Sequence, residues 1–430
     1  MKIRYFAVLL LFTAINLHSQ VWVNQINPSP GVMFSVYAYD ANVAWATGEL
    51  GKVLYTSNGG NNWFNMTNAI FGTSNVYSVH GIDPTTAIVV SNVSGGKVFR
   101  STNRGLSWQT LFSRSNVTLS DVQFINSTTG FVFGNPVANQ YFIFKTTNGG
   151  NTFDTVSVTR PPSPNPNSQI IPNCTHLFQS AIGNPIFIWF GTSTGHLFYS
   201  TNTGTSWSFS IPDSNISMRS LTFSSTQNGL CGGDDPFMSV NGGAGWRFQG
   251  TYPNTGGYYS FETVAWQYFY SSGPSIYRST NNAASFSLQF TNVSQEDFRD
   301  LSFVSTPGDN SLSVVHGWGV TGDGEIARYS DPIGIIPIST IIPGKFNLYQ
   351  NYPNPFNPVT IITFDIAENS DIKLEVADIL GKTIKVLHQG KVNAGSYKTE
   401  FDGTNLPSGI YFYRLLTDKT SITRKLMLIK

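Results

Sequence analysis

The 430-residue sequence predicts an all-β protein, and three observations carry that reading. Aromatic residues make up 14% of the chain and charged residues only 11%, with 40 glycines spread among Asn, Ser and Thr, a composition of strands and tight turns. The nine residues Tyr-Thr-Ser-Asn-Gly-Gly-Asn-Asn-Trp at 55–63 recur along the chain: aligned on the asparagine, the copies fall at Asn58, Asn103, Asn148, Asn202, Asn241 and Asn281. Their spacings of 45, 45, 54, 39 and 40 residues are the period of a four-stranded propeller blade.

The first element is a leader. Lys2 and Arg4 precede an apolar run from Phe6 to Ile15, and Leu17 and Ser19 suit the −3 and −1 positions of a cleavage before Gln20, so residues 1–19 read as a secretory signal peptide. The run is short of the ~20 residues that a bilayer span needs, and no other stretch is long and apolar enough to be a transmembrane segment.

The blades follow, over 20–331. Two residues before each asparagine stands a hydroxyl (Thr56, Ser101, Thr146, Ser200, Ser239, Ser279), and two after it comes Gly60, Gly105, Gly150, Gly204, Gly243 or Ala283. Five after it comes Trp63, Trp108, Phe153, Trp207, Trp246 or Phe286. Asn tolerates positive φ and bonds to nearby amides, Gly supplies a left-handed conformation, and the hydroxyl can satisfy another turn amide, so each copy reads as a hairpin turn. The aromatic then opens the next strand and can pack between blades. A worn seventh copy lies at 317–332, with Asp331 in phase and no tryptophan strand after it; the mature chain, conversely, opens on Trp22 with no turn before it. Trp22 is therefore expected to complete blade 7 and remove the open sheet edge.

The turn resembles the Asp-box (BNR) repeat of sialidases, sortilin-type receptors and xyloglucanases. The whole blade pattern is similar to the seven-bladed photosystem II assembly-factor propellers and their bacterial extracellular relatives over about residues 21–331. It departs from them in using Asn where Asp is frequent, and in losing the Gly of blade 6.

Residues 332–345, punctuated by proline, read as a linker. Beyond it, short alternating strands such as Ile362-Thr363-Phe364-Asp365-Ile366 suggest a small Ig-like β-sandwich over 346–430. Its motifs, Asn351-Tyr352-Pro353-Asn354-Pro355-Phe356-Asn357-Pro358, then Gly381, then Gly409-Ile410-Tyr411 and the tail Lys425 to Lys430, strongly resemble the type A C-terminal sorting domain of the type IX secretion system. That resemblance implies a Bacteroidota-like source, passage through the Sec translocon and then the type IX machinery, and residence at the cell surface or outside the cell.

Charge and cysteine content exclude several classes. Only Lys52, Lys97 and Lys145 occur between residues 21 and 340, so the propeller lacks the electrostatic footprint of a nucleic-acid binder. Cys174 and Cys231 suit a bridge or two buried thiols, and neither they nor the solitary His80, His176 and His316 have metal-ligand spacing; no metal or cofactor is implied. Nothing dictates oligomerisation, and a monomer is expected.

Binding chemistry is expected on the face bearing the loops between blades and between second and third strands. The long connection 157–174, the aromatic loop 250–260 and the carboxylates Glu49, Asp234, Asp235, Asp323 and Glu325 fall there. Tyr258 and Tyr259 are candidate sugar-stacking residues, with Asp234 and Asp235 beside them; Trp266, Tyr268 and Tyr270 read as blade packing. The leading expectation is a non-enzymatic binder of protein or glycan. The alternative is a glycoside hydrolase or lyase acting through two of Glu49, Asp234, Asp235 and Glu325, set ~5–9.5 Å apart. A sialidase needs convergent arginines, whereas Arg100, Lys145, Arg278 and Arg328 all stand three before the repeat position, as blade architecture.

Overall fold

The structure, a computed structural model, describes residues 22–430 apart from 155–158, 165–166, 213–216, 251, 254–256, 266, 280, 308–312, 331–335, 340–342, 393, 404–405 and 430. The expected leader, Trp266, Asp331 and Lys430 lie outside the described residues. Contacts divide the chain into one unit over 21–331 and another over 332–430.

The first unit is a ring of seven antiparallel sheets, the first six laid down in chain order from the inner to the outer strand. Blade 1 runs Met33–Ala38, Ala44–Gly48, Val53–Thr56 and Phe64–Asn65; blades 2, 4, 5 and 6 repeat the four-stranded plan. Blade 3 shows three strands among the described residues, extended by a bridge between Lys145 and Asp154. Blade 7 is built from Phe298–Pro307, Ser313–Thr321 and Ile326–Ser330, and its fourth strand is Trp22–Gln25, which pairs Trp22 with Tyr329 and Gln25 with Ile326. The two ends of the propeller thus close one sheet, as the unaccompanied tryptophan strand predicts.

Each repeat is the turn between the third and fourth strands. In blade 1 the Thr56 hydroxyl accepts the amide of Gly60 at 2.9 Å and Asn58 Oδ1 accepts the amide of Asn62 at 3.0 Å. The same two bonds recur at Ser101 and Asn103, Thr146 and Asn148, Ser200 and Asn202, Ser239 and Asn241, and Ser279 and Asn281. Gly60 sits at φ 77°, and Ala283 in blade 6 takes φ 62°, so the turn survives the loss of its glycine at the cost of a left-handed alanine. The aromatic five residues after the asparagine packs across the blade boundary: Trp108 meets Trp45 of blade 1 at 6.2 Å, and Trp63 joins Trp318 of blade 7 in one apolar cluster.

The closing strand is pinned by Gln25. Its Oε1 accepts the indole N–H of Trp63 at 2.8 Å and of Trp318 at 3.2 Å, while its Nε2 donates to the Gly59 carbonyl at 2.9 Å. Arginines on third strands brace neighbouring blades, as their place in the repeat suggests: Arg100 bonds Asn151 at 2.5 Å and Arg328 bonds the Ala41 carbonyl at 3.2 Å.

The second unit is a β-sandwich of two four-stranded sheets. One sheet orders Ile336–Ser339, Gly395–Asp402, Val359–Ile366 and Asn347–Leu348; the other orders Thr383–Val392, Ser370–Ala377, Gly409–Thr417 and Ser421–Leu428. Alternation places Ile362, Phe364 and Ile366 of one sheet and Leu374, Val376, Tyr413 and Leu415 of the other in a single buried core. The linker expected over 332–345 is shorter than that, because residues 336–339 pair with 396–398 as an edge strand.

Candidate ligand-binding face and central channel

The inner strands of the seven blades carry a second periodic feature that the first repeat conceals. Ser35, Ser78, Asp121, Thr175, Ser220, Ser260 and Asp300 occupy one equivalent position, one per blade, and all are buried. Most mark a β-bulge, as between Met33 and Ser35 or between Phe298 and Asp300, and the bulge frees side chain and amide to bond sideways. Ser220 Oγ accepts the amide of Phe261, Ser260 Oγ that of Leu301, and Asp300 Oδ2 that of Val36, at 2.8, 3.1 and 2.9 Å. Asp121 collects the hydroxyls of Ser78 and Thr175, both at 2.5 Å. A belt of side chains thus stitches neighbouring inner strands around the channel. It is written in the sequence as an apolar residue, any residue, Ser or Asp, then an apolar residue: Met33-Phe34-Ser35-Val36, Val76-Tyr77-Ser78-Val79, Met218-Arg219-Ser220-Leu221 and Phe298-Arg299-Asp300-Leu301.

Inside the belt lies a cavity of about 270 Å³, lined by Ser35, Tyr37, His176, Glu262, Asp300 and Ser302 among others. Burial, with Asp300 nearby, pushes the Glu262 carboxyl up to about 8. Burial likewise raises Asp300 to about 8, against the hydrogen bond it receives from Val36. Asp121 rises only to about 6, because the Ser78 and Thr175 hydroxyls offset its burial. His80, whose ring lies tilted against Tyr37 at 4.0 Å, is held neutral by burial, its value lowered to about 3, and His176 similarly to about 4. One mouth of the channel is crossed by a latch. Between Ile170 and Thr175 the inner strand of blade 4 carries three residues more than its partner, and the Asn173 side-chain amide in this bulge donates to the Phe34 carbonyl of blade 1 at 2.6 Å.

The residues just before the belt positions of blades 5, 6 and 7 are Arg219, Tyr259 and Arg299. Both guanidiniums lie over the Tyr259 ring, at 4.7 and 5.4 Å, and Arg219 also pairs with Asp234 at 3.1 Å. Tyr259 therefore has its ring occupied by protein cations. Tyr258 is 1% exposed, donates its hydroxyl to the Tyr252 carbonyl at 3.0 Å and stacks on Phe261 at 5.7 Å. The expected sugar platform at Tyr258 is thus corrected to core packing: the bulge between Tyr258 and Ser260 turns that ring inward. Tyr268 and Tyr270 are buried blade packing, as expected.

The rim carboxylates serve their own loops. Glu49 Oε1 accepts the amide of Val32 at 2.9 Å, and Asp323 Oδ1 accepts the Thr321 hydroxyl at 2.5 Å. Burial and the neighbouring Asp323 raise Glu325 above its ordinary value. The two carboxyls most strongly shifted toward the protonated form, Glu262 and Asp300, belong to the channel and were not among the four rim candidates for acid/base work. The long connection after blade 3 also departs from expectation: Tyr141 bonds Pro161, Ser163 bonds Asn139, and Thr159 bonds Gly204, so its first half runs along the flank of the ring. Across the loops of blades 5, 6, 7 and 1, the carboxylates Glu49, Asp234, Asp235, Glu296, Asp297, Asp323 and Glu325 outnumber the cations Lys52, Arg219 and Arg299. Among the described residues no group of three or more His, Cys, Asp and Glu side chains is arranged to hold a metal ion, Cys174 and Cys231 are free buried thiols, and no helix is long and apolar enough to cross a membrane.

In the second unit, motif residues far apart in sequence form one structure. Asn354 Oδ1 accepts the Met427 amide at 3.0 Å, Phe356 donates to the Met427 carbonyl at 2.9 Å and accepts the Ile429 amide at 3.0 Å, so the Asn-Pro segment covers the outer edge of the last strand. Its bonds at Pro353, Pro355 and Pro358 are all cis, and Asn351 is anchored by the Tyr413 hydroxyl at 2.8 Å. Tyr411 donates to the Pro407 carbonyl at 2.8 Å, and Gly381 takes φ 81° in the turn after Asp378.

Comparison with known proteins agrees with this division. Residues 350–430 match the family described as the secretion system C-terminal sorting domain. No curated protein matches the chain. Among solved structures, "YCF48 bound to D1 peptide" is similar with a TM-score of 0.56 and 13% identity, over 73% of this chain and 98% of that one. YCF48 from Cyanidioschyzon merolae gives 0.52 and 16%, over 72% and 98%. The extracellular domain of the hybrid two component system BT3049 from B. thetaiotaomicron gives 0.50 and 12%, over 95% of this chain and 57% of that one. The chain is therefore a β-propeller followed by a secretion-system C-terminal sorting domain, exported through the type IX system to the cell surface or the extracellular space.

Proposed function

We propose that the propeller is a non-enzymatic binding module whose loop-bearing face, over blades 5, 6, 7 and 1, receives a basic segment of a polypeptide. The surplus of carboxylates on that sector carries the reading, since it selects cationic partners and speeds their encounter. The burial of Tyr258 and the arginine cover on Tyr259 weigh against stacked sugar, because neither ring offers a free apolar face. A propeller of similar fold holds a peptide, which suits the same kind of occupant.

The secreted full-length protein, titrated with arrays of basic, neutral and acidic peptides, is expected to retain basic ones, with affinity falling as salt rises. Replacing Asp235→Lys and Glu296→Lys together should abolish that retention. Equal binding of acidic and basic peptides, or binding to neutral glycans alone, overturns the proposal.

A further inference from the structure

The sorting domain must be read by a partner, and the register of its second sheet shows where its motifs gather. Thr383, Ala377, Phe412 and Lys425 form one row across the four strands. Beyond that row, at one end of the sheet, lie the turn Asp378–Lys382, the entry Gly409-Ile410 and the end of the last strand with its Asn-Pro cover. Four segments separated by up to some eighty residues in sequence thus share one end of the sandwich.

That end is apolar where a turn is ordinarily polar. Ile379 and Leu380 are 70% and 88% exposed, and Ile410 and Ile429 are 41% and 49% exposed. The turn that presents the first pair is held firmly: Asp378 Oδ1 accepts the amides of Leu380 and Lys382, both at 2.9 Å, and the Gly381 amide donates to the Asp378 carbonyl at 3.0 Å. From the neighbouring strand Arg414, itself paired with the buried Glu375 at 2.5 Å, reaches the Gly381 carbonyl at 3.4 Å. Two exposed aliphatic side chains on a turn with so little freedom lose little entropy when they enter a pocket. They contribute nothing to the core of their own domain.

We propose that this end of the sandwich, with Ile379 and Leu380 as its anchors and Ile410 and Ile429 beside them, is the surface by which the type IX machinery engages the domain. The occupant is an apolar cleft of that machinery. The proposal rests on the sorting-domain match rather than on the propeller's ligand, and secretion reports on it independently of peptide binding.

The test uses the full-length protein produced in a bacterium with a working type IX system. Ile379→Ser combined with Leu380→Ser is expected to lower the secreted amount at least tenfold and to leave folded protein in the periplasm, with thermal unfolding of the sorting domain unchanged. Exchanging the two side chains, Ile379→Leu with Leu380→Ile, should restore secretion. Lys419→Ser, in the turn at the opposite end of the same sheet, should leave secretion intact. Normal secretion of the double serine variant, or an equal loss in Lys419→Ser, overturns the proposal.

Discussion

Asp300 of blade 7 accepts the backbone amide of Val36 of blade 1 through Oδ2 at 2.9 Å, so the two blades that meet at the closure of the ring are joined on the inside by a carboxylate. The same carboxylate lines the channel with Glu262, and burial has raised both toward 8. Their proton affinity in the folded ring therefore exceeds that of the unfolded chain, where carboxyls titrate at about 4.

The sign of the pH dependence follows. Groups raised on folding stabilise fully below their unfolded values, and that stability is lost as pH rises through the folded ones. The buried histidines act oppositely: His80 and His176 must be charged on unfolding below about 6.5, so their contribution fades as pH falls toward 4 and below. Propeller stability is expected to rise as pH drops from 9 to about 6.5 and to rise less steeply below that, where the histidines oppose Glu262 and Asp300 and Asp121, raised to about 6, adds its own gain. Thermal unfolding across that range checks it, and Asp300→Asn should flatten the alkaline slope.

Gln25→Ala removes one acceptor shared by two indoles and one donor to Gly59. Stranding these groups is expected to cost about 2–3 kcal/mol. The loss should show as a lower denaturant midpoint with faster hydrogen exchange at Trp22 to Gln25. Unaltered exchange there would mean that the staple is dispensable.

Asn58→Asp is expected to change stability by less than ~0.5 kcal/mol, whereas Asn58→Leu should cost about 1 kcal/mol. The turn uses the side-chain oxygen as acceptor for the Asn62 amide, and aspartate keeps that oxygen. Equilibrium unfolding of the two variants separates the cases. The same geometry makes Asn and Asp equivalent as acceptors at this position of the turn.

The repeat turns were legible because hydroxyl, asparagine and glycine satisfy one another within five residues, so their spacing survives in the sequence. Trp22 was legible for a related reason: a tryptophan strand without its turn points to a partner elsewhere. The channel belt was harder to see. Ser78 and Ser220 are ordinary residues whose bonds run to the next blade, 43 and 41 positions away, and only their common phase betrays them. Tyr258 misled because a loop rich in Tyr and Gly suggests an open aromatic surface. A single bulge inverted the sides of Tyr258 and Tyr259, turning one ring into the core and the other between two arginines.

The pairing of Trp22 with Tyr329 joins residues roughly three hundred positions apart. The strand that emerges first during synthesis has no sheet to enter until the last strand of blade 7 has been made, and closing so long a loop is slow. Completion of the ring is thereby postponed until the strands of blade 7 have been synthesised. Trp22 to Gln25 is thus the part of the ring that waits longest for its partner, whatever the order in which blades 1 to 6 form.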